Sequence, residues 1–164
     1  MKFAASTVQT SFDSPLGRIL VAASDHKLVG VWFDSQRHLP DTSSWIDGSQ
    51  HPVLQQAQRQ LSEYFTGHRT TFELPLELST GTLFQQQVWQ TLLKIPRGAT
   101  WSYAAVSAAI GKPAAVRAVG GAIGRNPLGI VVPCHRVIGA NGSLTGYAGG
   151  LDRKVALLKL ESGL

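Results

Sequence analysis

Cys134 is the chain's single cysteine, and it lies in the run Val131-Val132-Pro133-Cys134-His135-Arg136-Val137-Ile138. A neighbouring base and a permanent cation lower a thiol pKa from about 8.5 toward neutrality and release the nucleophilic thiolate. His135 and Arg136 supply both groups. Pro133 fixes the backbone entering the cysteine and argues against a central strand running through it. In an extended segment adjacent side chains face opposite ways, so His135 needs a turn or a bridging water to take the thiol proton. The competing reading is an inert core cysteine, the commonest fate of a lone cysteine in an apolar run.

Other chemistries fit these residues less well. A cysteine hydrolase wants a distant histidine and an Asn or Asp to orient it. Asn126 is available, but no protease signature surrounds Cys134. A zinc site needs about four ligands, and His135 is the only histidine after His68, so no metal is expected. Gly120-Gly121-Ala122-Ile123-Gly124 lacks both the GxGxxG spacing and a preceding strand, which rejects a dinucleotide site. Small residues there let a helix lie close to a neighbouring helix or a nucleic-acid groove.

The elements that must position Cys134 follow from periodicity. Phe3–Phe12, Arg18–Ala23 and Leu28–Phe33 read as short strands separated by Ser14-Pro15-Leu16-Gly17 and Ser24-Asp25-His26-Lys27, an antiparallel meander. Residues 34–50 have loop composition. Pro52 opens a helix with Val53, Leu54, Ala57, Leu61, Tyr64 and Phe65 on its apolar side and Gly67 at its end. Phe72, Leu74, Leu76 and Leu78 alternate as an edge strand interrupted by Pro75. Ser79-Thr80-Gly81 marks a boundary between two units, 1–79 and 80–164.

The second unit reads as mainly helical. Thr82 and Gln85 have capping-box spacing before a helix that Pro96 stops. Ser102–Ile110, the break Gly111-Lys112-Pro113 and a small-residue helix over 114–124 form a helix-turn-helix candidate. Leu128–Val132 reads as a buried strand or extended run, Gly142–Gly150 as a hairpin, and a final amphipathic helix holds Leu151, Val155, Leu158 and Glu161.

Composition sets the bounds around this plan. The chain has 164 residues, 43% of them hydrophobic and 15% charged, which suits a folded globule with a real core. One cysteine excludes an internal disulfide. No apolar run spans a bilayer and the N-terminus lacks the apolar stretch of a secretory leader, so a reducing cytoplasm is expected. The net charge of +5 divides unevenly, −2 over residues 1–79 and +7 over 80–164, and no acidic residue occurs between Glu77 and Asp152. That acid-free stretch reads either as a solvated basic face or as the footprint of a polyanion.

With these residues in view, the second unit resembles the O6-alkylguanine-DNA alkyltransferases. The resemblance rests on Pro133-Cys134-His135-Arg136-Val137 with Asn126-Pro127 upstream, and on Phe84-Gln85-x-x-Val88-Trp89, Ile95-Pro96-x-Gly98 and Ser102-Tyr103. Arg117-Ala118-Val119-Gly120 and Gly146-Tyr147-x-Gly149-Gly150 complete it, in colinear order over nearly all of 82–161. It implies an α/β N-terminal domain of ribonuclease-H-like topology and a mainly α C-terminal domain with a winged helix-turn-helix.

The resemblance also implies roles. Cys134 is the alkyl acceptor, His135 a base acting through water, Glu161 the carboxylate that orients it, and Asn126 the support of the turn carrying Cys134. Tyr103 crowds the target's 3′ phosphate and donates to guanine N3. Val137 and Cys134 offer carbonyls to the exocyclic amine, with Tyr147, Ala148 and Ile123 around the base. Ala148 stands where some members carry serine, leaving only its amide to meet O6. Arg117 fills the gap left by a flipped nucleotide, and Ser102, Arg125, Lys94, Arg97 and Lys112 are candidate DNA contacts. The implied partner is alkylated double-stranded DNA held by its minor groove, with a monomeric protein and no cofactor; cooperative assembly along DNA is left open. The rival reading is a helix-turn-helix module that flags damage or regulates without chemistry.

Overall fold

The computed structural model describes residues 1–163. Its first half is built on a four-stranded sheet of order β3-β2-β1-β4: β1 Val8–Ser14, β2 Gly17–Ser24, β3 Lys27–Phe33 and β4 Ile46–Asp47. The meander is antiparallel, as its turns require. At the first turn the Ser14 hydroxyl donates to the Gly17 carbonyl at 2.6 Å and accepts the Leu16 N–H at 3.2 Å. The first strand starts at Val8, so Phe3 lies outside it, packed edge-on against Trp32 at 5.8 Å. β4 pairs parallel with β1 inside the stretch whose composition reads as loop. Two residues are too few to show a period.

Helix α1, Pro52–Phe65, lies on the sheet through buried Val53, Leu54, Ala57, Leu61 and Tyr64. Gly67 adopts φ +79°, the left-handed conformation that ends many helices. The edge strand expected over Phe72–Leu78 does not form. A single parallel bridge joins Leu76 to Leu28, with the Leu28 N–H donating to the Pro75 carbonyl and the Glu77 N–H to the Leu28 carbonyl. Pro75 has no N–H to extend the ladder.

The second half is helical: α2 Leu83–Leu92, α3 Tyr103–Ala109, α4 Val116–Gly124 and α5 Leu151–Ser162. Strands β5, Trp101–Ser102, and β6, Val137–Ile138, pair in parallel. The expected capping box is present, with Gln85 N–H on the Thr82 hydroxyl and Thr82 N–H on the Gln85 side chain. Trp89 on α2 donates its indole N–H to the Ala122 carbonyl of α4 at 2.8 Å, fastening the second helix of the helix-turn-helix to the core. The turn between α3 and α4 uses Gly111 at φ +74°. Buried apolar residues from both halves share one continuous cluster, and Ala22, Val29 and Trp32 form a second, smaller one. Among the described residues no helix is long and apolar enough to cross a membrane.

Three local expectations are corrected. Leu128–Val132 is a buried turn instead of a strand, joined to β3 by a single bridge at Val31. Ile130 there adopts φ +69°, strained for a β-branched residue. Gly142–Gly150 contains turns and no strand pair, because glycines at φ +81°, +58° and +96° bend the chain too often for a ladder. Finally, α5 buries Lys154, Leu157 and Glu161, while Leu151 is 48% exposed. A stripe containing two charged residues escapes any reading by hydrophobicity.

Candidate active site

The site begins with a short 3-10 turn, Cys134–Arg136, which places three successive side chains where an extended segment would not. All three are buried, and His135 is wholly enclosed. Asn126 holds the turn's approach. Its side-chain amide donates to the Val132 carbonyl at 2.8 Å, and its oxygen accepts the Leu128 N–H at 2.9 Å. Replacing Asn126 by alanine leaves these buried partners unpaired at about 1–3 kcal/mol each. Asn126→Ala is therefore expected to melt several degrees earlier and to slow reaction at Cys134; an unchanged melting temperature would refute that supporting role.

Glu161 reaches the turn from the last turn of α5. Its carboxylate accepts from His135 Nε2 at 2.7 Å, from Arg136 Nε at 2.8 Å and Nη2 at 3.0 Å, and from the Tyr64 hydroxyl at 2.6 Å. Burial raises the carboxyl's pKa, but the His135 and Arg136 donors outweigh it and hold the group well below its ordinary value. Burial also depresses the His135 pKa, against the pull of Glu161. The resulting state is an ionised Glu161 facing a neutral imidazole. The carboxylate can only accept, so it fixes the proton on Nε2 and leaves the Nδ1 lone pair free. Nδ1 is buried and has no partner among the described residues. Arg136 completes the arrangement by donating to the Ile95 carbonyl at 2.6 Å.

Burial pushes the Cys134 thiol up, against the opposing influence of Asn126 and the Lys154 ammonium. The resting group is thus a thiol that must lose its proton to react. Lys154 is itself fully buried and donates to the carbonyls of Val137 at 2.6 Å and Thr145 at 3.0 Å. It ties α5 to the two segments flanking the cysteine. The Val137 carbonyl retains a second lone pair for another donor.

Beside this centre lies a cavity of about 320 Å³ lined by Tyr103, Ile123, Arg125, Tyr147 and Ala148, among others. Burial raises the Tyr103 and Tyr147 pKa values, and both hydroxyls lie near enough to Cys134 for a thiolate to raise them further. Ser102 caps α3 by accepting the Ala105 N–H at 3.0 Å, which sets Tyr103 as the first helical residue. The Tyr103 hydroxyl donates to the Thr145 carbonyl at 3.1 Å. A Cβ on Gly120 would come no nearer than 3.9 Å to Tyr103, and one on Gly124 would meet nothing. Gly120 and Gly124 are thus not required by packing against another helix, whereas Ala122 is buried against the core.

Arg117 and Arg125 are exposed on and just beyond α4, and Lys94 and Lys112 are also exposed. Arg97 is half-buried; it donates to the Leu160 carbonyl at 3.1 Å and stacks over Tyr64, at the C-terminal end of α5. Two participants were missed, Tyr64 and Lys154. Tyr64 reads as one more apolar helix residue, although a buried tyrosine hydroxyl usually needs a partner. Lys154 is recognisable only through its helical spacing with Leu157 and Glu161.

Comparison with known proteins agrees with this geometry. Residues 7–78 match the ribonuclease-like domain of 6-O-methylguanine DNA methyltransferase, and residues 83–163 match the DNA-binding domain of the same family. A methylated-DNA–protein-cysteine methyltransferase of Mycobacterium leprae is 46% identical over 92% of this chain and 90% of its own length. A constitutive one of Bacillus subtilis is 47% identical over 93% of each. The crystal structure of Mycobacterium tuberculosis OGT in complex with DNA superposes with TM-score 0.85 at 45% identity, covering 93% of this chain and 91% of that one. The chain belongs to the 6-O-methylguanine DNA methyltransferase family, with a ribonuclease-like domain followed by a DNA-binding domain.

Proposed function

We propose that this protein repairs O6-alkylguanine in DNA by transferring the alkyl group to Cys134, once per molecule. The observation that carries the proposal is the buried Glu161–His135 contact of 2.7 Å, directly beside the chain's single thiol. Glu161 orients the imidazole, and Nδ1 takes the Cys134 proton through a bridging water. The thiolate attacks the alkyl carbon in line with O6; the S–C bond forms as the C–O6 bond breaks, and its electron pair leaves with guanine. Tyr103 turns its hydroxyl from Thr145 to guanine N3 to meet the negative charge developing on the purine. Val137 and Cys134 offer carbonyls to the exocyclic amine, the Ala148 amide faces O6, and Tyr147 and Ile123 flank the ring. The thioether has no hydrolytic exit, so the protein is consumed.

DNA reaches this centre through the helix-turn-helix. The bare small-residue face of α4 enters the minor groove, Arg117 occupies the space of the extruded nucleotide, and Ser102, Arg125, Lys94 and Lys112 meet phosphates. The same reading makes the protein a monomer on its substrate and, since it works through a free thiol, a protein of the reducing cytoplasm.

The test is incubation with a duplex containing O6-methylguanine, followed by mass mapping of the protein. One methyl group on Cys134 per molecule is expected. DNA binding with an unmodified Cys134 would favour a damage flag, and repeated turnover would favour a hydrolase. Arg117→Ala is expected to slow duplex repair about tenfold or more while leaving reaction with free O6-methylguanine base unchanged, because only the duplex requires extrusion. Equal losses on both substrates would argue against that role.

A further inference from the structure

Residues 145–149 carry Tyr147 and Ala148 into the wall of the cavity beside Cys134. The segment forms no strand, and it bends at Gly146, φ +58°, and at Gly150, φ +96°. Its carbonyls are nevertheless held from several directions. That of Thr145 accepts from the Tyr103 hydroxyl and the Lys154 ammonium, that of Tyr147 from the Gly150 N–H at 2.9 Å, and that of Ala148 from the Arg37 N–H at 3.0 Å. The Gly149 carbonyl accepts from Arg153 Nη1 at 3.0 Å.

Arg153 joins this wall to the first domain. It sits in the first turn of α5, where a cation opposes the helix dipole, so helix stability does not account for it. Its Nε donates to the Leu16 carbonyl, in the turn between β1 and β2, at 2.8 Å. Its guanidinium lies over the Phe33 ring of β3, 4.2 Å from the centroid. Gly17, at φ +118°, makes room for it, since a Cβ there would come within 2.8 Å of Nη2. Gly149 is the meeting point: a Cβ on it would come within 2.7 Å of the Tyr147 ring and 3.1 Å of the Phe33 ring. Tyr147, Gly149 and Phe33 are thus packed in sequence, and Arg153 rests on the last two. Arg153 itself does not line the cavity. Among the described residues it is in no ion pair, so its donors are spent on carbonyls.

We propose that Arg153 is a positioning residue that sets the width of the alkyl pocket, clamping the Tyr147–Ala148 wall to Leu16 and Phe33 of the ribonuclease-like domain. The proposal rests on the repair reading and adds to it a determinant of which adducts fit. A fixed wall admits a small alkyl group and resists a bulky one. A released wall yields to the bulky group and orients the guanine less well. The guanidinium fork reaches two carbonyls while its planar face lies on a ring, a combination that an ammonium does not reproduce.

The experiment compares wild type, Arg153→Met and Arg153→Lys in transfer from free O6-methylguanine and free O6-benzylguanine bases, below the melting midpoint of each protein. Methionine keeps an unbranched stem against Phe33 and removes the donors; lysine restores donors without the fork. Arg153→Met is expected to raise the ratio of benzyl to methyl transfer rates about tenfold over wild type, with Arg153→Lys between the two. Backbone amide exchange, which needs no reaction, should quicken at Gly150 and Arg37, whose N–H groups hold carbonyls of the wall. An unchanged ratio overturns the proposal, including the case in which both rates fall by one factor, which would make Arg153 merely structural. Unchanged exchange at those amides overturns the clamp as well. Wild-type protein that accepts neither alkyl group would sink the repair reading instead, and the amide exchange would still decide whether Arg153 holds the wall.

Discussion

Cys134→Ser accepts no methyl group from an O6-methylguanine duplex, yet binds that duplex within about twofold of wild type. Serine is nearly isosteric with cysteine, but its hydroxyl ionises far less readily than a thiol and is much the weaker nucleophile. Burial already pushes the Cys134 thiol up, so the site depends on His135 to remove one proton. A hydroxyl in the same surroundings is beyond the reach of a neutral imidazole whose own pKa burial depresses. Cys134 is not among the residues lining the cavity mouth, so binding should survive. Intact mass spectrometry beside a gel-shift titration separates the two properties. A methylated Cys134→Ser protein would move the acceptor elsewhere, and loss of binding would show that the thiol supports the fold of the DNA face.

Glu161→Gln should be the most damaging change outside the cysteine. The carboxylate neutralises Arg136 and accepts from His135 and Tyr64, and its side chain is 1% exposed. Removing one partner of a buried ion pair typically costs about 3–5 kcal/mol, which for a domain of this size lowers the melting temperature by roughly 6–20 °C. The substituted amide also presents a donor as well as an acceptor, so the His135 tautomer is no longer fixed and transfer slows. Acid should mimic the defect. The His135 pKa is depressed below 6.5, so its contribution is intact above that pH and is lost as pH falls through the lower folded value. The Glu161 pKa is depressed below 4.5, and its contribution is lost in the same direction at lower pH. Wild-type stability should therefore decline from about pH 6.5 downward, and the Glu161→Gln curve should be flatter at its acid end. A variant melting with wild type would show that the ion pair holds nothing together.

The chemistry was more legible than the architecture around it. Cys134, His135 and Asn126 announce themselves because polar residues of those types are conspicuous in an apolar run. Glu161 stands out because acids are scarce in the second half, and the Thr82–Gln85 cap follows from local hydrogen-bond geometry alone. What the sequence conceals is set by distant contacts. Arg97 looks like its exposed basic neighbours until the end of α5 and the Tyr64 ring are brought against it. Lys154 looks like a solvated helix charge until Val137 and Thr145 surround its ammonium. Alternation at Phe72–Leu78 reports correctly that one side of the segment faces inward, but only Leu76 finds a bridge on β3.

The Tyr64–Glu161 hydrogen bond joins residues 97 positions apart. Closing a loop of that length must precede any reward from the contact, so such pairings form late in folding. In the unfolded chain Glu161 lacks its partner from α1, and Cys134 is an ordinary solvated thiol. Reactivity toward alkylated DNA and protection from indiscriminate alkylation in solution thus arise in one event, the closure of the finished fold. Refolding followed with a small thiol reagent should show labelling of Cys134 disappear in the same kinetic phase in which methyl transfer appears.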